Sequence, residues 1–154
     1  MKKFRAFIAS KLNNGNFKYS VSEKLISDLP EGNLLIKVKY SSLNYKDALS
    51  ASGAFGITKE YPHTPGIDVG GIIEKSESSD FPAGTKVIVT GFDLGVNTCG
   101  GFAEYVRVPS NWAIKCPKKL TIKESMMIGT AGLTAGLCIA KIENHMQLDS
   151  MNVI

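Results

Sequence analysis

Ser41 to Asp47, reading SSLNYKD, places a carboxamide (Asn44), a phenol (Tyr45), an amine (Lys46) and a carboxylate (Asp47) on four consecutive positions. A carboxamide donates and accepts hydrogen bonds at once, which suits an amide or carbonyl on a small ligand. A phenol is protonated at neutral pH, so Tyr45 offers a proton as well as a flat face. Asp47 is spaced to orient either neighbour. Farther on, PGIDVGG (65–71) supplies a turn, a glycine pair and a second carboxylate, Asp68, set between apolar residues. A carboxylate in such a setting needs hydrogen-bonding partners. The two segments together suggest a small-molecule redox site. The first also reads as a strand end running into a helix, with Asn44 as cap and Asp47 in the first turn. Spacing alone leaves both readings open.

Other chemistries find less support. The two histidines, His63 and His145, have no second His or Cys at ligand spacing, so no metal site is expected. His63, within Tyr-Pro-His-Thr-Pro, reads as a surface or turn residue. No GxSxG nucleophile motif occurs. The three cysteines, Cys99, Cys116 and Cys138, form no CxxC, which argues against a disulfide framework and for a reducing compartment.

The elements that must hold these residues are mainly strands up to about residue 116. Phe4 to Ala9 and Phe17 to Ser22 read as a hairpin turned by Asn13-Asn14-Gly15-Asn16. Leu34, Ile36, Val38 and Tyr40 alternate with Leu35, Lys37 and Lys39, the period of a strand with one buried face. That strand leads directly into SSLNYKD. Further strands are expected at 67–74, 86–90, 102–108 and 112–115, with turns at Pro30-Glu31-Gly32, Phe81 to Gly84 and Gly100-Gly101. Short strands punctuated in this way indicate a barrel or sandwich.

After Pro117 the pattern becomes helical. Thr121 and Glu124 have capping-box spacing, a break is expected at Gly129, and Thr130 can cap a second helix running to about Asn144. Gly132 and Gly136 share a face of that helix, where close packing of another element is favoured over ligand contact. GTAGLTAG (129–136) lacks GxGxxG spacing and follows no strand, so it is not a dinucleotide loop.

Composition sets the outer bounds. With 44% apolar and 21% charged residues over 154 positions, the chain has the make-up of one folded domain. The net charge of +4 comes almost wholly from scattered lysines, because only Arg5 and Arg107 are arginines. Clustered Arg and Lys interleaved with aromatics would mark a nucleic-acid surface, and none is present. The longest uncharged stretch, Ser125 to Ala140, is 16 residues, short of the ~20 that a membrane span needs. The start, MKKFRAFIAS, is a poor signal peptide because Arg5 interrupts its apolar run. A cytoplasmic protein with neither a nucleic-acid nor a membrane partner is expected.

The order LPEG, SSLNYKDALSASG, PGIDVGG, GGFAEY and MIGTAGLTA resembles the N-terminal half of the medium-chain dehydrogenase/reductase superfamily over nearly all of the chain. Within it, the pattern is most similar to the zinc-independent YhdH/YhfP-type quinone oxidoreductases, a group that includes acrylyl-CoA reductases. The resemblance implies a mainly β fold with C-terminal helices: a GroES-like β-barrel catalytic domain over residues 1–120. Residues 121–154 would then be linker helices and the start of an NADP-binding Rossmann domain. Where zinc-dependent relatives have a cysteine, this chain has Asn44, and the histidine of their Gly-His-Glu is Ile67. Where they have four structural-zinc cysteines, only Cys99 stands here. No zinc is therefore expected.

The resemblance implies hydride transfer from NADPH to an activated C=C of an enoyl-CoA or to a quinone. Asn44, Tyr45 and Thr130 would be cofactor-binding, and Tyr45 and Asp47 the catalytic candidates. A homodimer is implied for the full-length protein. Met151 to Ile154 reads as the beginning of a buried strand, so the chain is expected to be a fragment carrying half of an active site, inactive by itself. The alternative is a non-catalytic GroES-like binding module.

Overall fold

The structure is a computed structural model in which residues 2–145 are described. The expected strand at Met151 to Ile154 lies outside the described residues.

Strands β1 (Lys3–Lys11) and β2 (Phe17–Leu25) form the expected hairpin, in register from Lys3–Leu25 to Lys11–Phe17. The Leu12 carbonyl and N–H close its turn on Gly15 and Asn16, and Gly15 takes φ 84°, a conformation that favours glycine. The second sheet contains β3 (Leu34–Tyr40), β4 (Asp68–Ser76), β5 (Lys86–Thr90), β6 (Tyr105–Val108) and β7 (Ala113–Lys115). Its order is β6-β3-β4-β5-β7 and every pair is antiparallel. Helix α1 (Tyr45–Ser52) follows β3 and helix α2 (Ile122–His145) follows β7.

The inward residues of the sheet, among them Leu34, Ile36, Val69, Val87, Val89 and Val106, are buried together with Leu94 and Ala113. Each such side chain stabilises the fold by roughly 1.5–3 kcal/mol relative to leaving it in water. β3 departs from strict alternation for a tertiary reason. Leu35, on its opposite face, is covered by Phe4, Ala6, Leu29 and Tyr105, because the β1–β2 hairpin lies against that side. At the other end Tyr40 is exposed rather than buried. The hairpin is tied down by backbone hydrogen bonds from Phe7 to Phe102 and, reciprocally, between Ala9 and His63, all 2.8 Å. His63 is thus buried, not a surface residue. A carbonyl can only accept, so its Nε2, 2.9 Å from the Gly95 carbonyl oxygen, carries the proton.

α2 opens on the capping box: Glu124 accepts the Thr121 N–H at 2.8 Å, and Thr121 Oγ1 accepts the Glu124 N–H at 3.1 Å. Gly129, at φ 52° and ψ −163°, breaks it into two helical pieces. Although the whole segment is long and apolar enough to cross a membrane, among the described residues each piece is shorter than a span. The first piece packs on β4 at Gly70, where a Cβ would lie 2.6 Å from Ile122 Cγ2. The close approach expected at Gly132 and Gly136 does not occur among the described residues. Gly136 faces open space and Gly132 meets only Ile128 of its own helix.

Candidate active site

The end of β3 delivers Ser41 to Asn44 in extended form, with Asn44 at φ −127° and ψ 153° as the N-cap residue of α1. Three residues on, Asp47 turns back. One carboxylate oxygen accepts the Asn44 N–H at 2.8 Å and the other accepts the Ile67 N–H at 2.9 Å. At 3% exposure, Asp47 joins the two sequence motifs through their backbones. Burial raises its pKa above the usual carboxylate value, and the nearby Asp68 charge adds to that, while the hydrogen bonds from Asn44 and Ile67 oppose it.

Asp47 holds the Asn44 backbone, which frees the Asn44 side chain to reach elsewhere. Its Nδ2 donates to Asp68 Oδ2 at 2.9 Å. The same oxygen accepts the Thr130 N–H at 3.0 Å, and Thr130 Oγ1 donates to Asp68 Oδ1 at 2.6 Å. Asp68 is fully buried, and these three donors answer the need for partners that the sequence raised. Thr130 therefore does not cap its helix. Asp68, from β4, caps it across the fold, which places a carboxylate at the N-terminus of the second piece of α2. Two serines support the joint: Ser41 Oγ donates to the Asp68 carbonyl and Ser42 Oγ to the Met126 carbonyl, each at 2.6 Å.

Beside this polar joint is a pocket of about 370 Å³, lined by Asn44, Tyr45, Ile67, Phe92 and Thr130 among others. Tyr45 stands at its rim, 80% exposed. Of the four predicted site residues, Asn44, Tyr45 and Thr130 line the pocket and Asp47 does not. Phe92 was not foreseen from the sequence. Its ring stacks on Trp112 with centroids 5.2 Å apart, and its backbone sits at φ 55°, where a bulky residue is rare. Only the preceding Gly91, itself left-handed at φ 78°, hinted at this turn.

Among the described residues, no group of three or more His, Cys, Asp and Glu side chains is gathered to hold a metal. The donors nearest the pocket do not fit one either. Both Asp47 oxygens face backbone N–H groups, both Asp68 oxygens face Asn44 and Thr130, and the Ile67 side chain has no lone pair to offer.

Residues 30–118 match the alcohol dehydrogenase GroES-like domain. The chain belongs to that family. Its similarity continues through the N-terminal half of medium-chain dehydrogenase/reductase enzymes. The yhfP protein of Bacillus subtilis, solved with NAD bound, superposes on this chain with a TM-score of 0.88 at 40% identity, covering 94% of the chain and 44% of the relative. The yhdH oxidoreductase of Salmonella enterica, in complex with NADP, gives 0.87 at 41% identity, covering 91% and 43%. The acrylyl-CoA reductase AcuI of Ruegeria pomeroyi is 35% identical over 143 residues, covering 92% of the chain and 43% of AcuI. The chain thus spans less than half the length of these relatives.

Proposed function

We propose that this GroES-like domain forms the substrate-side wall of a zinc-independent, NADPH-dependent reductase acting on an activated C=C of an enoyl-CoA or on a quinone. The observation that carries the reading is a single pocket with an apolar slot, an aromatic rim and a polar edge fixed by a buried carboxylate. The slot fits the ring end of a dinucleotide: Tyr45 and Phe92 offer flat faces, and Asn44 and Thr130 offer directional hydrogen bonds. NADPH, when bound, supplies a hydride.

The chain's own residues have distinct parts in this reading. Tyr45 contacts the cofactor ring, while Ile67 and Phe92 keep water from the reacting carbon. Asn44 and Thr130 orient the ligands. Either Tyr45 or solvent returns a proton to the product. Asp47, behind the pocket lining rather than in it, positions Asn44 and Ile67 and does not touch substrate. The donors that face the pocket do not suit zinc, which favours reduction of an activated double bond over alcohol oxidation. A Rossmann domain in the full-length protein would close the cleft, and a cytoplasmic homodimer completes the reading.

Steady-state rates of a full-length protein carrying this segment, with acrylyl-CoA and with a simple quinone, test it. NADPH-dependent turnover of one of them, unaffected by chelators, is expected. Stoichiometric zinc whose removal abolishes activity would overturn it. A Tyr45→Phe variant that keeps full kcat assigns the proton to solvent.

A further inference from the structure

We propose that Asp68 sets the hydrogen-bonding polarity of the site, so that Thr130 faces the pocket as an acceptor alone and selects a ligand group that donates. The inference rests on the NADPH reading above and names the donor: the N–H of the dihydronicotinamide carboxamide.

A carboxylate has no hydrogen to give, and a hydroxyl has one. With Thr130 Oγ1 2.6 Å from Asp68 Oδ1, the threonine hydrogen lies between them and only lone pairs remain for the pocket. The same reasoning orients Asn44. Its amide nitrogen must face Asp68 Oδ2 at 2.9 Å, which leaves one N–H and the carbonyl oxygen for other partners. Rotation cannot easily undo this arrangement. Asp68 is fully buried and its carbonyl is held by Ser41, and the Thr130 N–H is fixed on Asp68 Oδ2 at 3.0 Å. The Thr130 carbonyl in turn accepts a hydrogen bond from Thr134 at 2.8 Å. Gly129 leaves room for the joint, since a Cβ there would lie 2.8 Å from Asp68 Oδ2. Asp68 is thus a positioning residue that acts through Thr130.

Fluorescence titrations of the full-length protein with NADPH and with its reduced 3-acetylpyridine analogue test the proposal. The analogue has a methyl ketone in place of the carboxamide and offers no N–H. The wild type is expected to prefer NADPH by about five- to tenfold, the effect of one hydrogen bond. Thr130→Val should abolish the preference by weakening NADPH binding, and Thr130→Ser, which keeps the hydroxyl, should restore it. Asp68→Asn can donate its own N–H to Thr130, which frees the threonine hydrogen for the pocket, so the preference should vanish there too. A preference that survives in Thr130→Val overturns the proposal, whether or not the Asp68 variant folds. Equal weakening of both ligands in Thr130→Val overturns the carboxamide assignment. Failure of the wild type to bind NADPH overturns the underlying reading and this inference with it.

Discussion

Asp47 is a carboxylate held against burial by two backbone N–H groups, and its removal leaves both donors without it. Asp47→Ala should therefore destabilise the domain by about 2 kcal/mol, measured by urea unfolding, since each buried unmet donor costs about 1–3 kcal/mol and relief of charge burial offsets part of that. Wild-type stability in the variant would sink its assignment as the link between the motifs. His63 gives a pH signature. Burial lowers its pKa below the ordinary 6.5, with the Lys24 charge adding to that and the bond to Gly95 opposing it. The unfolded chain thus binds the proton more readily. This stability is fully present above about pH 6.5 and is lost as pH falls through the lower folded value. Thermal midpoints taken from about pH 7.5 to about 5.5 should decline in the wild type, and more shallowly in His63→Gln. Parallel declines would refute the role. At this scale the sequence offered SSLNYKD as either a cap or a site. Asn44 caps α1 through its backbone, and its amide instead reaches Asp68 beside the pocket. One residue's spacing cannot reveal that division, since the partner lies on another strand.

Local signals were enough for the hairpin turn, the capping box and the break at Gly129, because each depends on residues within a turn of one another. Contacts between elements were not legible in this way. The burial of His63, the second cluster over Leu35 and the capping of Thr130 by Asp68 all come from packing across the sheet. The glycines of α2 make the point quantitatively. Gly129 combines φ 52° with a Cβ position 2.6 Å from Ser42 Oγ, so Gly129→Ala should lose about 2–4 kcal/mol by strain and crowding. Gly136 has nothing within 4 Å among the described residues, so Gly136→Ala should gain up to about 1 kcal/mol from helix propensity. Urea midpoints that move in the same direction for both variants would contradict this division of the helix.

Across the described residues, the sheet and β1 bury an apolar face, with Leu34, Ile36, Phe4 and Ala6 among its members, but the second piece of α2 does not. Leu133, Leu137, Ile139 and Ile142 are all at least partly open, and an apolar helix of this kind calls for a covering surface. The isolated chain should therefore bind 1-anilinonaphthalene-8-sulfonate, and a Leu133→Glu, Leu137→Glu variant should bind less of it. A chain that stays monomeric without binding the dye would instead favour a self-standing module. Cofactor binding follows the same logic. The residues gathered at the pocket, Asn44, Tyr45 and Thr130, can meet the ring end of a dinucleotide, while GTAGLTAG lacks the spacing of a loop that cradles its phosphates. Phosphate contacts contribute much of dinucleotide affinity, because helix N-termini and backbone N–H groups act on full charges there. A fluorescence titration of the 154-residue chain with NADPH should thus show no saturation at concentrations that saturate a full-length protein carrying the same segment. Equal affinity would place the phosphate site within this chain and refute the reading of it as one wall of a shared cleft.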